Sequence, residues 1–123
     1  MSIAFWCLLA AGILPQLAGF YAKADKGFDN NNARDWLAKQ EGAKARAVAA
    51  MNNGYEGLPL FIAAVLVAHL QGVDPTWLNG LALTYVLLRI PFTVCYIKGW
   101  GTLRSLIWVG GLACIISLFV MAA

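Results

Sequence analysis

A small set of polar side chains stands within stretches of sequence otherwise suited to hydrocarbon. Asn53 lies seven residues and Glu56 ten residues beyond Arg46. On a continuous helix Arg46 and Asn53 nearly eclipse, and Glu56 stands about 60° from Asn53, so one face carries all three. Further along, Tyr85, Arg89, Phe92 and Tyr96 recur at spacings of four, three and four, giving a second helix a face on which aromatic rings bracket an arginine. Arg104-Ser105 opens another apolar run. A lone carboxylate or guanidinium is expensive in lipid, whereas the two facing each other across a bundle satisfy both. Glu56 and Arg89 are therefore expected within reach of each other, directly or through a ligand or water. This pairing has two readings: a buried ion pair that fixes helix register, or a polar pocket open to the cytoplasm. Arg104 taken singly reads as an anchor snorkelling to the headgroups.

Composition sets the elements that must position these residues. Of 123 residues, 61% are hydrophobic and only 12% charged, where a soluble domain of this size is about half apolar and a quarter charged. Four membrane spans account for the excess, over about 2–22, 44–72, 76–97 and 104–122. The first is free of charge and rises about 32 Å as a helix, enough to cross a hydrocarbon core of about 30 Å. Without Lys or Arg ahead of its apolar stretch, it reads as a span rather than a cleaved leader. The second becomes long enough only by including the polar residues around Asn53 and Glu56. Arg89 costs the third about 2.5 to 3.5 kcal/mol, which ten Leu, Ile, Val or Phe residues offset with about 3 to 6 kcal/mol. Pro15, Pro59 and Pro91 each remove a backbone donor inside a span, so bends are expected there.

Eight of the nine basic residues lie in two connections, Lys23 to Arg46 and Lys98 to Arg104, and the short link 71–76 has none. By the positive-inside rule those connections face the cytoplasm and both termini the other side. Glu56 and Arg89 then reach similar depths, about 15 Å beyond Arg46 and about 13 to 14 Å from Lys98. Between the first two spans, Asp29-Asn30-Asn31-Asn32 favours turns. From Asp35, the pattern of Trp36, Leu37, Ala43, Ala47 and Ala50 suits an amphipathic approach to the second span.

Other classes of chemistry find little support. A net charge of +3, interrupted by apolar runs, is no nucleic-acid footprint. Cys7, Cys95 and Cys114 have no paired spacing and no metal-type neighbours in register, so neither a disulfide framework nor a metal site is expected. His69 reads as a packing or interfacial residue. A small proton-coupled exporter is disfavoured because its usual first-span carboxylate is absent.

Arg46-Ala47, Ala50, Asn53, Glu56, Pro59 and Phe61, read as R-A-x-x-A-x-x-N-x-x-E-x-x-P-x-F, resemble the second-helix signature of the MAPEG family, the membrane-associated proteins in eicosanoid and glutathione metabolism. Phe28-Asp29-Asn30, Arg34 and Glu41-Gly42 resemble the loop of its bacterial members. Arg89, Tyr96, Arg104-Ser105 and Trp108 resemble its third and fourth helices. The resemblance implies an all-α, integral membrane four-helix bundle protomer, one domain over 1–123, assembled as a homotrimer in a bacterial inner membrane. It also implies glutathione as co-substrate between subunits, contacted by Arg46, Asn53, Glu56, Arg89 and Tyr96. Arg104 would stabilise the thiolate. Ala49 and Phe92 depart from several mammalian members, which carry an arginine and a tyrosine or histidine there, and both changes remove polar contacts.

The expected function is a membrane-bound glutathione transferase or peroxidase acting on lipophilic small molecules that enter from membrane lipid. The alternative is a non-catalytic protein that binds a lipid or partner through the same pocket.

Overall fold

Glycine and proline set the ends of the helices. The computed structural model describes residues 1–123. It contains α1 (Ile3–Lys23), the short α2 (Ala33–Ala38), α3 (Gly42–Leu70), α4 (Pro75–Lys98) and α5 (Gly101–Ala122), with no strand. All but α2 are long and apolar enough to cross a membrane. The 29 residues of α3 rise about 44 Å, so this helix outruns a hydrocarbon core and carries its polar first turns into the headgroup region. Pro15, Pro59 and Pro91 all lie within unbroken helices.

Two helix ends close in the same way. At the end of α3, Gly72 takes a φ of 75° and the Val73 N–H donates to the Ala68 carbonyl at 3.0 Å. At the end of α4, Gly99 takes a φ of 78° and the Trp100 N–H donates to the Cys95 carbonyl at 2.9 Å. Only glycine reaches this left-handed region without strain, and the reversed chain then satisfies carbonyls that the helix leaves free. Asp74 begins α4 by accepting from the Thr76 N–H at 2.8 Å, with Pro75 in the first turn. The spans therefore alternate in direction. The two termini share one end of the bundle, and the two basic connections share the other.

The amphipathic approach expected from Asp35 onward is not one helix. Asn30–Asn32 make a single 3₁₀ turn, capped by Asp29 accepting from the Asn31 N–H at 3.1 Å; α2 follows and stops at Ala38. Gly42, the first residue of α3, takes a φ of 62° and lets the chain change direction there. The loop is fastened down by Lys44, whose Nζ donates to the Ala24 carbonyl at 3.2 Å and to Asp25 at 3.3 Å.

α3 and α4 form the middle of the bundle, with α1 packed on both and α5 packed on both. Lipid provides no hydrophobic drive between helices, so close approach depends on small residues. On α1, Ala4, Cys7, Ala11, Pro15, Ala18 and Ala22 are buried along one stripe, against Ala47, Ala50, Gly54, Ala64 and Ala68 of α3. Gly54 permits the closest approach: a Cβ there would stand 2.5 Å from Pro15 Cγ. The large residues of α1, such as Trp6, Leu9, Ile13 and Leu17, point outward, as expected of a surface solvated by acyl chains.

Candidate functional site: a groove between α3, α4 and α5

The stripe Tyr85, Arg89, Phe92, Tyr96 forms a ladder that climbs α4 from the core to the basic end. Tyr85 is buried and stacks on Phe61 of α3, with ring centroids 4.1 Å apart and planes 15° from parallel. The Arg89 guanidinium carbon lies 4.0 Å from the centroid of Phe92. Phe92 meets Tyr96 edge-on at 5.7 Å. Arg104, from the first turn of α5, covers the other end, its guanidinium carbon 4.4 Å from the Tyr96 ring centroid. A cation over an aromatic face is held by the ring quadrupole, most strongly where water is scarce.

Beside this ladder is a cavity of about 230 Å³ walled by α3, α4 and α5. Asn53, Glu56 and Arg89 supply its polar wall; Leu60, Leu88 and Ile115 belong to an apolar one. A second recess of about 390 Å³ adjoins it, bordered by Tyr96, Arg104 and Ser105. Asn53, Phe92 and Trp108 line both, so the two form one groove. α1 contributes to neither, which leaves the groove open on the side of the protomer away from it.

The structure thus brings Asn53, Glu56, Arg89, Tyr96 and Arg104 to one groove and leaves Arg46 out. Arg46 is exposed and its Nε donates to the Ile97 carbonyl at 2.9 Å. It is drawn to the negative C-terminal end of α4 and satisfies one of that helix's free carbonyls. The direct pairing of Glu56 with Arg89 is also absent. The protomer's one salt bridge is Lys44–Asp25 in the loop, and Arg89 Nη2 donates instead to Asn53 Oδ1 at 2.9 Å. Helix rotation explains the difference. Gly54 fixes α3 against α1, which turns Asn53 to Arg89 and leaves the neighbouring Glu56 carboxylate exposed beside the cavity.

The apolar wall of Leu60, Leu88, Ile107, Leu112 and Ile115 is not legible in the sequence, because leucine and isoleucine face lipid, core and cavity alike. One glycine carried a signal. A Cβ at Gly57 would stand 3.2 Å from Tyr85 Oη, so that glycine makes room for the tyrosine, and Gly111 lies against the other side of its ring at ordinary contact distance. His69 lies at the opposite end, edge-on to Phe5 at 4.8 Å.

A family model, that of the MAPEG family, matches residues 3–123. The chain belongs to the MAPEG family. No curated protein and no solved structure matches it. The MAPEG proteins are, in general, membrane proteins of glutathione-related transferase and peroxidase type. This chain is an all-helical, multi-pass membrane protein with a polar groove. Two guanidinium groups face the groove, and one carboxylate lies beside its apolar depth.

Proposed function

We propose that this MAPEG protein is a glutathione transferase or peroxidase whose lipophilic substrates arrive from the bilayer, with Arg104 holding the glutathione thiolate. The carrying observation is the continuity of the groove: the recess at Arg104 and Tyr96 shares Asn53, Phe92 and Trp108 with the cavity that holds Glu56 and Arg89. A tripeptide with charged ends and a thiol needs separated polar anchors, and an electrophile dissolved in lipid needs an apolar approach. The groove offers both. Asn53 and Glu56 are the anchors for the peptide, and Tyr96 lines the thiol end. Assembly as a homotrimer would close the open side with a neighbouring subunit, and the bacterial inner membrane is the proposed location, with both termini outside the cytoplasm.

The chemistry follows from the charge of Arg104. A thiolate, not a thiol, attacks carbon, and a fixed guanidinium stabilises the anion more than its neutral acid. Moving a thiol from about 8.5 down by two units requires about 2.7 kcal/mol of differential interaction, within reach of one charge-assisted hydrogen bond in a site that excludes water. The thiol proton leaves to solvent, a C–S bond forms, and the electron pair of the broken bond leaves with the departing group or is protonated on an activated double bond. No nucleophilic side chain is required. Stacking on Tyr96 keeps the guanidinium in place before glutathione arrives.

The test is conjugation of glutathione to 1-chloro-2,4-dinitrobenzene by purified protein in detergent, comparing wild type with Arg104→Ala and Arg104→Lys. The expected result is a loss of about 100-fold in kcat for Arg104→Ala and a smaller loss for Arg104→Lys, with thiolate absorbance lowered in parallel. Undiminished turnover by Arg104→Ala would overturn the assignment. Glutathione binding without turnover in the wild type would favour the second reading, a non-catalytic lipid- or partner-binding protein, which the apolar depth at Leu60, Leu88 and Ile115 also suits.

A further inference from the structure

Arg89 is confined on several sides. Its Nη2 donates to Asn53 Oδ1 at 2.9 Å, its guanidinium carbon lies 4.0 Å from the Phe92 ring centroid, and Thr93 Oγ1 donates back to its carbonyl at 2.9 Å. Nη2 also lies 3.7 Å from where a Cβ on Gly54 would be, so the guanidinium rests against the seam between α1 and α3. A guanidinium has five N–H donors and no acceptor. The only atom of an asparagine carboxamide that can receive it is the oxygen. The amide nitrogen on the same carbon must then point elsewhere, and Asn53 borders both parts of the groove.

We infer that Arg89 is a positioning residue that locks the Asn53 carboxamide with its N–H donors turned into the groove, so that this position selects a ligand acceptor, a carboxylate or peptide carbonyl. The identity of the ligand rests on the glutathione reading; the lock does not. An unrestrained asparagine presents donor or acceptor equally well and discriminates nothing. Restrained, it complements the carboxylate of Glu56 three residues on, which can only accept. Adjacent groove positions on α3 thus offer opposite hydrogen-bonding character, and a ligand group in the wrong register meets two acceptors or two donors.

The experiment uses the full chain in detergent as wild type, Arg89→Lys, Arg89→Gln and Asn53→Asp. Glutathione affinity is measured by titration calorimetry, and the mobility of the Asn53 side-chain amide by ¹⁵N relaxation. Lysine is also a pure donor, so Arg89→Lys should keep the Kd within about threefold. Glutamine both donates and accepts, so Arg89→Gln should weaken binding about tenfold or more. The amide order parameter should fall from about 0.85 to below about 0.6 in Arg89→Gln and hold in Arg89→Lys. Asn53→Asp keeps a partner for Arg89 but turns an acceptor to the groove. It should unfold no earlier than wild type, yet bind glutathione at least about tenfold more weakly. Asn53→Asp binding as tightly as wild type, or an Asn53 amide equally rigid in Arg89→Gln, would overturn the lock. Absence of glutathione binding in the wild type, with the contrast in amide mobility intact, would overturn the glutathione reading and support the lock. If Arg89→Gln fails to fold, the affinities of Asn53→Asp and Arg89→Lys decide.

Discussion

The two halves of the bundle are built on different plans. In the half that carries the termini, all four long helices meet: Ala4, Cys7 and Ala11 of α1, Phe61, Ala64 and Val65 of α3, Leu78, Ala82 and Val86 of α4, and Cys114 and Leu118 of α5 share one buried cluster. In the half that carries the basic connections, α1 and α3 remain zipped through Ala18, Ala22, Ala47 and Ala50, while α5 stands off to leave the groove. Helices in lipid adhere wherever small surfaces fit, so a groove persists only if something else holds the bundle together. Fastening at one end lets the other stay apart, and the groove keeps polar groups, the Glu56 carboxylate among them, that the bundle leaves unpaired.

Substitutions should separate the two plans. The largest effect is expected at the junction. Phe61→Ala removes a fully buried ring that stacks on Tyr85 and should cost about 3 to 5 kcal/mol, read as loss of the folded species in thermal unfolding in detergent. Arg104→Ala, in the open half, should do the reverse, reducing kcat about 100-fold while leaving the unfolding temperature within error. If it destabilises as much as Phe61→Ala, the division between a structural half and a working half fails.

Gly54→Ala tests the seam behind the groove. The added methyl would meet the Pro15 ring, a contact that only movement of α1 relieves, and overpacking of this kind costs about 1 to 3 kcal/mol. The unfolding temperature in detergent should fall accordingly. Gly80→Ala is the control, since nothing lies within 4 Å of the new atom. At the terminal end, Asn79 Oδ1 accepts from the Ala4 N–H at 2.9 Å and so caps α1 from a different helix. Asn79→Ala should cost about 1 kcal/mol, measured as faster amide exchange in the first turn of α1.

The smallest effect is expected in the loop. The Gly27 N–H and then Lys44 hold the Asp25 carboxyl below its ordinary 3.8, and the Asn32 side chain does the same for Asp29. A lowered folded value means that the contribution is complete above the ordinary carboxylate value and is lost as pH falls through the lowered one. Proteolysis between Lys23 and Lys39 should accelerate only below about pH 4, with the spans unaffected.

Much of this arrangement is legible in the sequence because lipid imposes simple rules. Length and charge give the four spans, and a period of about 3.6 residues gives the ladder on α4. Level along the bundle is also readable, since each residue adds a fixed rise, and Glu56 and Arg89 do border the same cavity. Rotation is not. Counting residues brings Glu56 and Arg89 to one level but does not say which of Asn53 and Glu56 faces the guanidinium, because the contact of Gly54 with Pro15 decides it. Arg46 shows a second limit. Its position on Asn53's face is as expected, yet its side chain is long enough to reach the end of α4, where the Ile97 carbonyl holds it. The break between α2 and α3 depends on Gly42 adopting a positive φ, which hydropathy alone does not reveal.

Cys7, Cys95 and Cys114 are all buried, and none borders the groove. Should the groove run the proposed conjugation, this placement has a chemical consequence: electrophiles gathered from the bilayer would meet the thiol of the incoming peptide before they meet any cysteine of the protein, and the chain would be spared self-alkylation over many turnovers.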